Sequence, residues 1–156
     1  MRHIAARRRL LSAMTTTSDR TKIVQARNQS RAFMLAAQRC NEPRPLPSGR
    51  FQLLIVPSLV CYAFSIEVGL KALALHERGA AMRSHDLKEL LGGVPPTLRA
   101  QIVADTADPT FDSDLELVRG VFETWRYIYE QGLIDTDLGF LQRLAAAVQK
   151  ALEIIA

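Results

Sequence analysis

Residues 59–78 read LVCYAFSIEVGLKALALHER, and this stretch decides the fold. Leu59, Ala63, Ile66, Leu70 and Leu73 recur at intervals of three and four, the period of a helix with one buried face. Pro57 and Ser58 suit a helix start and Gly79 a stop, so the spacing predicts a core helix from Pro57 to Arg78. Glu67 and Lys71 stand one turn apart on the strip beside the apolar face. On an open surface such a pair contributes little. Partly buried, it would line a charged groove within a helical bundle, which is the preferred reading. Gly69 lies inside the same helix, where glycine costs about 1 kcal/mol relative to alanine. A close helix crossing or room for a ligand accounts for it, unless the position simply tolerates glycine.

Upstream, FQLLIV (51–56) has strand propensity but no convincing partner strand. The alternative is an extended approach, or a helical turn, leading into Pro57. NEPRPLPSG (41–49) holds three prolines and a glycine, which make it a surface loop. Before it, Asp19 or Ser18 caps a helix that runs through about Cys40. Its apolar positions include Ile23, Ala26, Phe33, Leu35, Ala36 and Ala37, with Arg27, Arg31 and Arg39 between them.

Downstream, RSHDLKELLGG (83–93) predicts a short helix capped by Ser84, with Leu87, Leu90 and Leu91 inward and two glycines at its end. Pro95 and Pro96 open another helix, through about Asp105. A longer helix from about Ser113 to Gln131 buries Leu115, Val118, Phe122, Trp125 and Tyr129. Arg119, Arg126 and Glu130 edge that stripe. Asp135 or Asp137 caps the last helix, whose stripe is Leu141, Leu144, Ala145, Val148, Leu152 and Ile155. The expected architecture is an all-α helical bundle of four long helices plus one or two short ones.

The chain has 156 residues, 48% hydrophobic and 23% charged, which fits one domain with one core. Its charge is uneven. Residues 1–44 carry ten Lys or Arg against two acids, whereas residues 45–156 carry ten against fourteen. Residues 1–18 are expected to form a disordered basic leader, with Met14 as an alternative start, and residues 19–156 the single domain. Cys40 and Cys61 form no C-x-x-C pair and read as reduced, partly buried thiols of a cytoplasmic protein. The longest apolar run, Leu53 to Phe64, is too short to span a bilayer, and no membrane partner is expected.

No Gly-rich phosphate loop and no H-E-x-x-H is present, and only three histidines occur, at 3, 76 and 85. No metal site and no cofactor are expected. His85 suits general acid or base work, but it also stands beside Asp86 where a helix starts. The fork of Arg126 can hold a phosphate or carboxylate, with Glu130 one turn on to orient it.

Taken in order, SIEVGLKALAL, SHDLKELL and VFETWRYIYE resemble a branch of the HEPN superfamily of small helical domains. The resemblance spans about residues 27–155 and is clearest at 57–91 and 115–131. Glu67 and Lys71 match an E-x-x-x-K motif. His85, Asp86 and Leu87 match H-D-L. Arg126, Tyr127, Tyr129 and Glu130 match R-Y-x-Y-E. Gly69 stands where a bulkier or aromatic residue is expected.

The resemblance implies a homodimer. It also implies a prokaryotic defence or toxin–antitoxin setting, with a cognate nucleotidyltransferase or antitoxin as partner. Some relatives are metal-independent endoribonucleases whose signature places a histidine a few residues after an arginine. No histidine follows Arg126 or Arg119. The expected function is therefore a non-catalytic module that binds a nucleotide, RNA or partner protein through Glu67, Lys71, His85, Asp86, Arg126, Tyr127 and Glu130. The alternatives are an endoribonuclease using Arg126 and His85, and a purely structural dimerisation domain.

Overall fold

The computed structural model describes residues 17–121 and 136–155. Within them the chain forms six helices, three long and three short, and one small hairpin. Helix α1 (Thr17–Cys40) leads into strands β1 (Arg44–Pro45) and β2 (Phe51–Gln52). Then follow α2 (Ile55–Arg78), α3 (Leu87–Gly92), α4 (Pro96–Thr106), α5 (Phe111–Val118) and α6 (Leu138–Ile154).

Helix α2 is the axis of the bundle and touches α1, α3 and α6. Leu59, Ala63, Ile66, Leu70 and Leu73 are all buried, as the spacing predicts. It ends at Gly79, whose left-handed backbone (φ 64°) turns its N–H onto the Leu75 carbonyl. The helix starts at Ile55, two residues before the expected Pro57. Proline has no N–H to lose in the first turn, so Pro57 sits there without breaking a bond. By length and composition α2 could cross a membrane, yet 67% of its most apolar window is buried within the fold, as befits a core helix.

Helix α1 lies antiparallel to α2. Phe33 stacks on Phe64, Ser30 meets Ser65, and Ser58 Oγ donates to the Ala37 carbonyl at 3.0 Å. Ser18 and Asp19 both lie inside the described helix, so neither is the cap. The thiols of Cys40 and Cys61 are free and partly buried. Burial, and then the nearby Cys40, push the Cys61 thiol above its ordinary pKa.

The expected loop at 41–49 forms half of a hairpin. Pro45 pairs with Phe51 and Arg44 with Gln52. The strand partner thus comes from the proline-rich segment itself, and only Phe51 and Gln52 of FQLLIV are strand.

Asp137, one of the two expected caps, caps α6 and accepts from Phe140 N at 2.8 Å. Leu141, Leu144, Ala145, Val148 and Leu152 are buried against α2 and α4, and Phe140 meets Phe111 edge-on. The expected helix 113–131 lies mostly outside the described residues. Its described part departs from expectation, because α5 stops at Val118 and a turn occupies 119–120. Just past the stop, the Arg119 carbonyl accepts from Leu87 N at 2.9 Å.

The crossing of α2 and α6 passes over Gly69. A Cβ there would stand 2.5 Å from Val148 Cγ1, 3.0 Å from Ser30 Oγ and 3.3 Å from Leu152 Cδ1. Close approach of three helices is thus the reason for this glycine. Beside it, Ser30 Oγ donates to the Ser65 carbonyl and accepts from Gln149 Nε2, each at 2.7 Å. These bonds tie α1, α2 and α6 at one level.

Candidate functional site

Glu67 projects from the middle of α2 and is only 3% exposed. Lys71, one turn on, donates its Nζ to Glu67 Oε1 at 2.7 Å. His85, just before α3, places Nδ1 3.0 Å from the same oxygen. An ionised carboxylate can only accept, so Nδ1 carries the proton in this bond. The pair is partly buried rather than fully solvated, and the Arg126 helix beside which a groove is expected lies outside the described residues. Lys71 and His85 approach from the solvent side, and the His85 side chain is about half exposed.

The other carboxylate oxygen, Glu67 Oε2, is buried and has no hydrogen-bond partner among the described residues. A buried acceptor left without a donor costs about 1–3 kcal/mol, and more when it is charged. The cluster thus joins two donors turned onto Glu67 Oε1 with a second oxygen, Oε2, that no described residue meets.

Asp86 does not join this cluster. It is the N-cap of α3, where Oδ1 accepts from Lys88 N at 2.9 Å and Glu89 N at 3.0 Å. Ser84, the expected cap, instead accepts from Asp86 N and donates to Glu89 Oε2 at 2.6 Å. The cap moves two residues on because the Asp86 carboxylate reaches both first-turn N–H groups at once.

Oδ2 of Asp86 takes the Arg119 fork, Nε at 2.7 Å and Nη2 at 2.5 Å. Arg119 also holds Glu116, which Lys88 holds from the other side at 2.6 Å. Partial burial pushes Asp86 up, but the Glu89 N–H, Arg119 and the Lys88 N–H outweigh it, and its carboxyl lies below the ordinary value. Hydrogen bonds from Lys88 and Arg119 lower Glu116 in the same way. Hydrogen bonds to Glu116 and Asp86 raise Arg119. The network fastens α3 to the end of α5. Nothing in the local pattern announces it, because Asp86 and Arg119 are 33 residues apart.

Of the expected site residues, Glu67, Lys71 and His85 come together and Asp86 faces away to Arg119. Arg126, Tyr127 and Glu130 lie outside the described residues, so the expected approach of His85 to Arg126 does too. Among the described residues no three His, Cys, Asp or Glu side chains are grouped as metal ligands. Comparison with protein-family models, with curated proteins and with solved structures gives no match for this chain.

Proposed function

We propose that the protein is a non-catalytic, HEPN-like binding module whose Glu67–Lys71–His85 cluster takes a nucleotide, free or as a unit of RNA. The observation that carries this reading is the buried Glu67 Oε2, unpartnered among the described residues. Folds rarely leave a charged acceptor in that state without a use for it. A nucleotide carries both complements. Its phosphate suits the Lys71 ammonium. An exocyclic amine or ribose hydroxyl supplies the donor that Oε2 lacks. Because Oε2 has no exposed surface, binding displaces a side chain that covers it. The polar strip and its place in the resemblance support the same choice, and the missing downstream histidine weighs against cleavage.

The test is calorimetry with mononucleotides and short single-stranded RNA on wild type, Glu67→Gln and Lys71→Met. A charge-assisted hydrogen bond contributes about 1.5–3 kcal/mol, so Glu67→Gln should weaken binding by roughly ten- to a hundredfold while the fold persists. If no nucleotide or RNA binds wild type, or if Glu67→Gln binds as well as wild type, the proposal fails. Incubating RNA with wild type and His85→Ala checks the catalytic alternative, and no cleavage is expected from either.

A further inference from the structure

Leu46, Phe51, Leu53, Leu54 and Ile55 are exposed large apolar side chains within ten consecutive residues. Phe51 is 70% exposed. They belong to the hairpin, the two-residue link after it and the first residue of α2, and every residue from Glu42 to Ile55 is exposed. Monomeric surfaces rarely gather apolar side chains in this way without a use for them.

Strand pairing sorts the hairpin into two faces. Residues opposite one another share a face, and neighbours alternate. Pro45 and Phe51 therefore lie on one side, and Arg44 and Gln52 on the other. Arg39, Arg44 and Arg50 are exposed around the tip, and no ion pair among the described residues includes them. Glu42 is the single carboxylate between residues 39 and 55. Apolar bulk and uncompensated positive charge thus occupy opposite faces of the same small hairpin.

We propose that this hairpin docks the protein peripherally on an anionic lipid bilayer. Phe51 and Leu53 enter the boundary between headgroups and acyl chains, and Arg44 and Arg50 reach the lipid phosphates. Charge and shape select this occupant. A second copy placed on the same patch would set Arg44 and Arg50 against their own kind, with one Glu42 per chain to offset them. A protein receptor would need a concave, acidic and apolar socket, whereas a fluid bilayer yields around a projecting tip. The expectation that no membrane is involved rests on the length of the apolar run. That length governs spanning and leaves surface docking open.

The experiment is co-sedimentation of the full chain with vesicles of phosphatidylcholine alone and with vesicles that also contain phosphatidylglycerol. Wild type should sediment with the anionic vesicles only, and added salt should release it. Arg44→Gln and Arg50→Gln should each weaken binding about fivefold, or ~1 kcal/mol. Phe51→Ser should weaken it about tenfold. All three sites are exposed, so thermal melts of the variants should match wild type. Light scattering in parallel reports self-association. The proposal is overturned if wild type stays in the supernatant with anionic vesicles at low ionic strength. It is equally overturned if neutral vesicles bind as well, or if Phe51→Ser splits a dimer instead of releasing vesicles.

Discussion

Asp86 performs two tasks with its two oxygens, and substitution separates them. Oδ1 caps α3, and Oδ2 holds Arg119. Asparagine keeps an acceptor for the cap but lacks the charge that Arg119 meets. Asp86→Ala should therefore cost about 1–2 kcal/mol in urea denaturation, and Asp86→Asn clearly less. The pH dependence has a definite sign. The Asp86 carboxyl is depressed in the folded protein. Its contribution is thus fully present above the ordinary aspartate value of about 4 and is lost as pH falls through the lower folded value. Acid unfolding of Asp86→Asn should accordingly begin at lower pH, relative to its own neutral stability, than that of wild type. At this scale the sequence speaks unevenly. Glu67 and Lys71 are legible as a pair because a helix dictates which residues lie one turn apart. His85 joins them from 18 residues away, and Asp86 finds Arg119 from 33. Such partners depend on how helices pack, which no local spacing contains.

Among the elements, the helix ends that rest on local chemistry were legible. Gly79 ends α2, Pro96 opens α4 and Asp137 caps α6. Ends that depend on another element were not. Strand propensity in FQLLIV yields after Gln52 because Leu54 N reaches back to the Cys40 carbonyl and the apolar run enters α2. Helix α5 stops at Val118, and just beyond it a distant N–H, that of Leu87, takes the Arg119 carbonyl. Gly69 lies between these cases. Its place inside a helix points to a crossing, and the structure supplies the neighbours. Gly69→Ala gains helix propensity but drives a methyl into Val148, so a net loss of about 1–3 kcal/mol is expected in thermal or urea unfolding. Pairing it with Val148→Ala should restore part of that loss, because the double variant reopens the space.

For the molecule as a whole, the apolar stripes alone imply a bundle, since each helix has one face to bury and only other helices to bury it against. They do not say which helix is central. That follows from α2 being buried around most of its circumference, where the E-x-x-x-K strip and Gly69 also lie. The candidate site and the three-helix crossing therefore belong to one rod. Lys71 and His85 approach Glu67 on one flank, and Ser30 and Gln149 meet Ser65 on another. A variant that loosens the crossing should disturb ligand binding little unless α2 itself shifts. Calorimetry on Ser30→Ala, alongside its unfolding curve, checks this: stability should fall by about 1 kcal/mol with affinity held.

The bond from Gln149 to Ser30 spans 119 positions of the chain. Helices α1 and α2 can pair as soon as both have been synthesised, but the notch at Gly69 stays open until α6 arrives. Long-range closure of this kind is slow relative to pairing of neighbours. During translation the α1–α2 pair thus waits with an unfilled groove. Val148→Ala should leave the folding rate almost unchanged and accelerate unfolding, a φ-value near zero in stopped-flow kinetics. A nascent chain halted before Leu138 would present the Gly69 groove to whatever apolar surface it meets first.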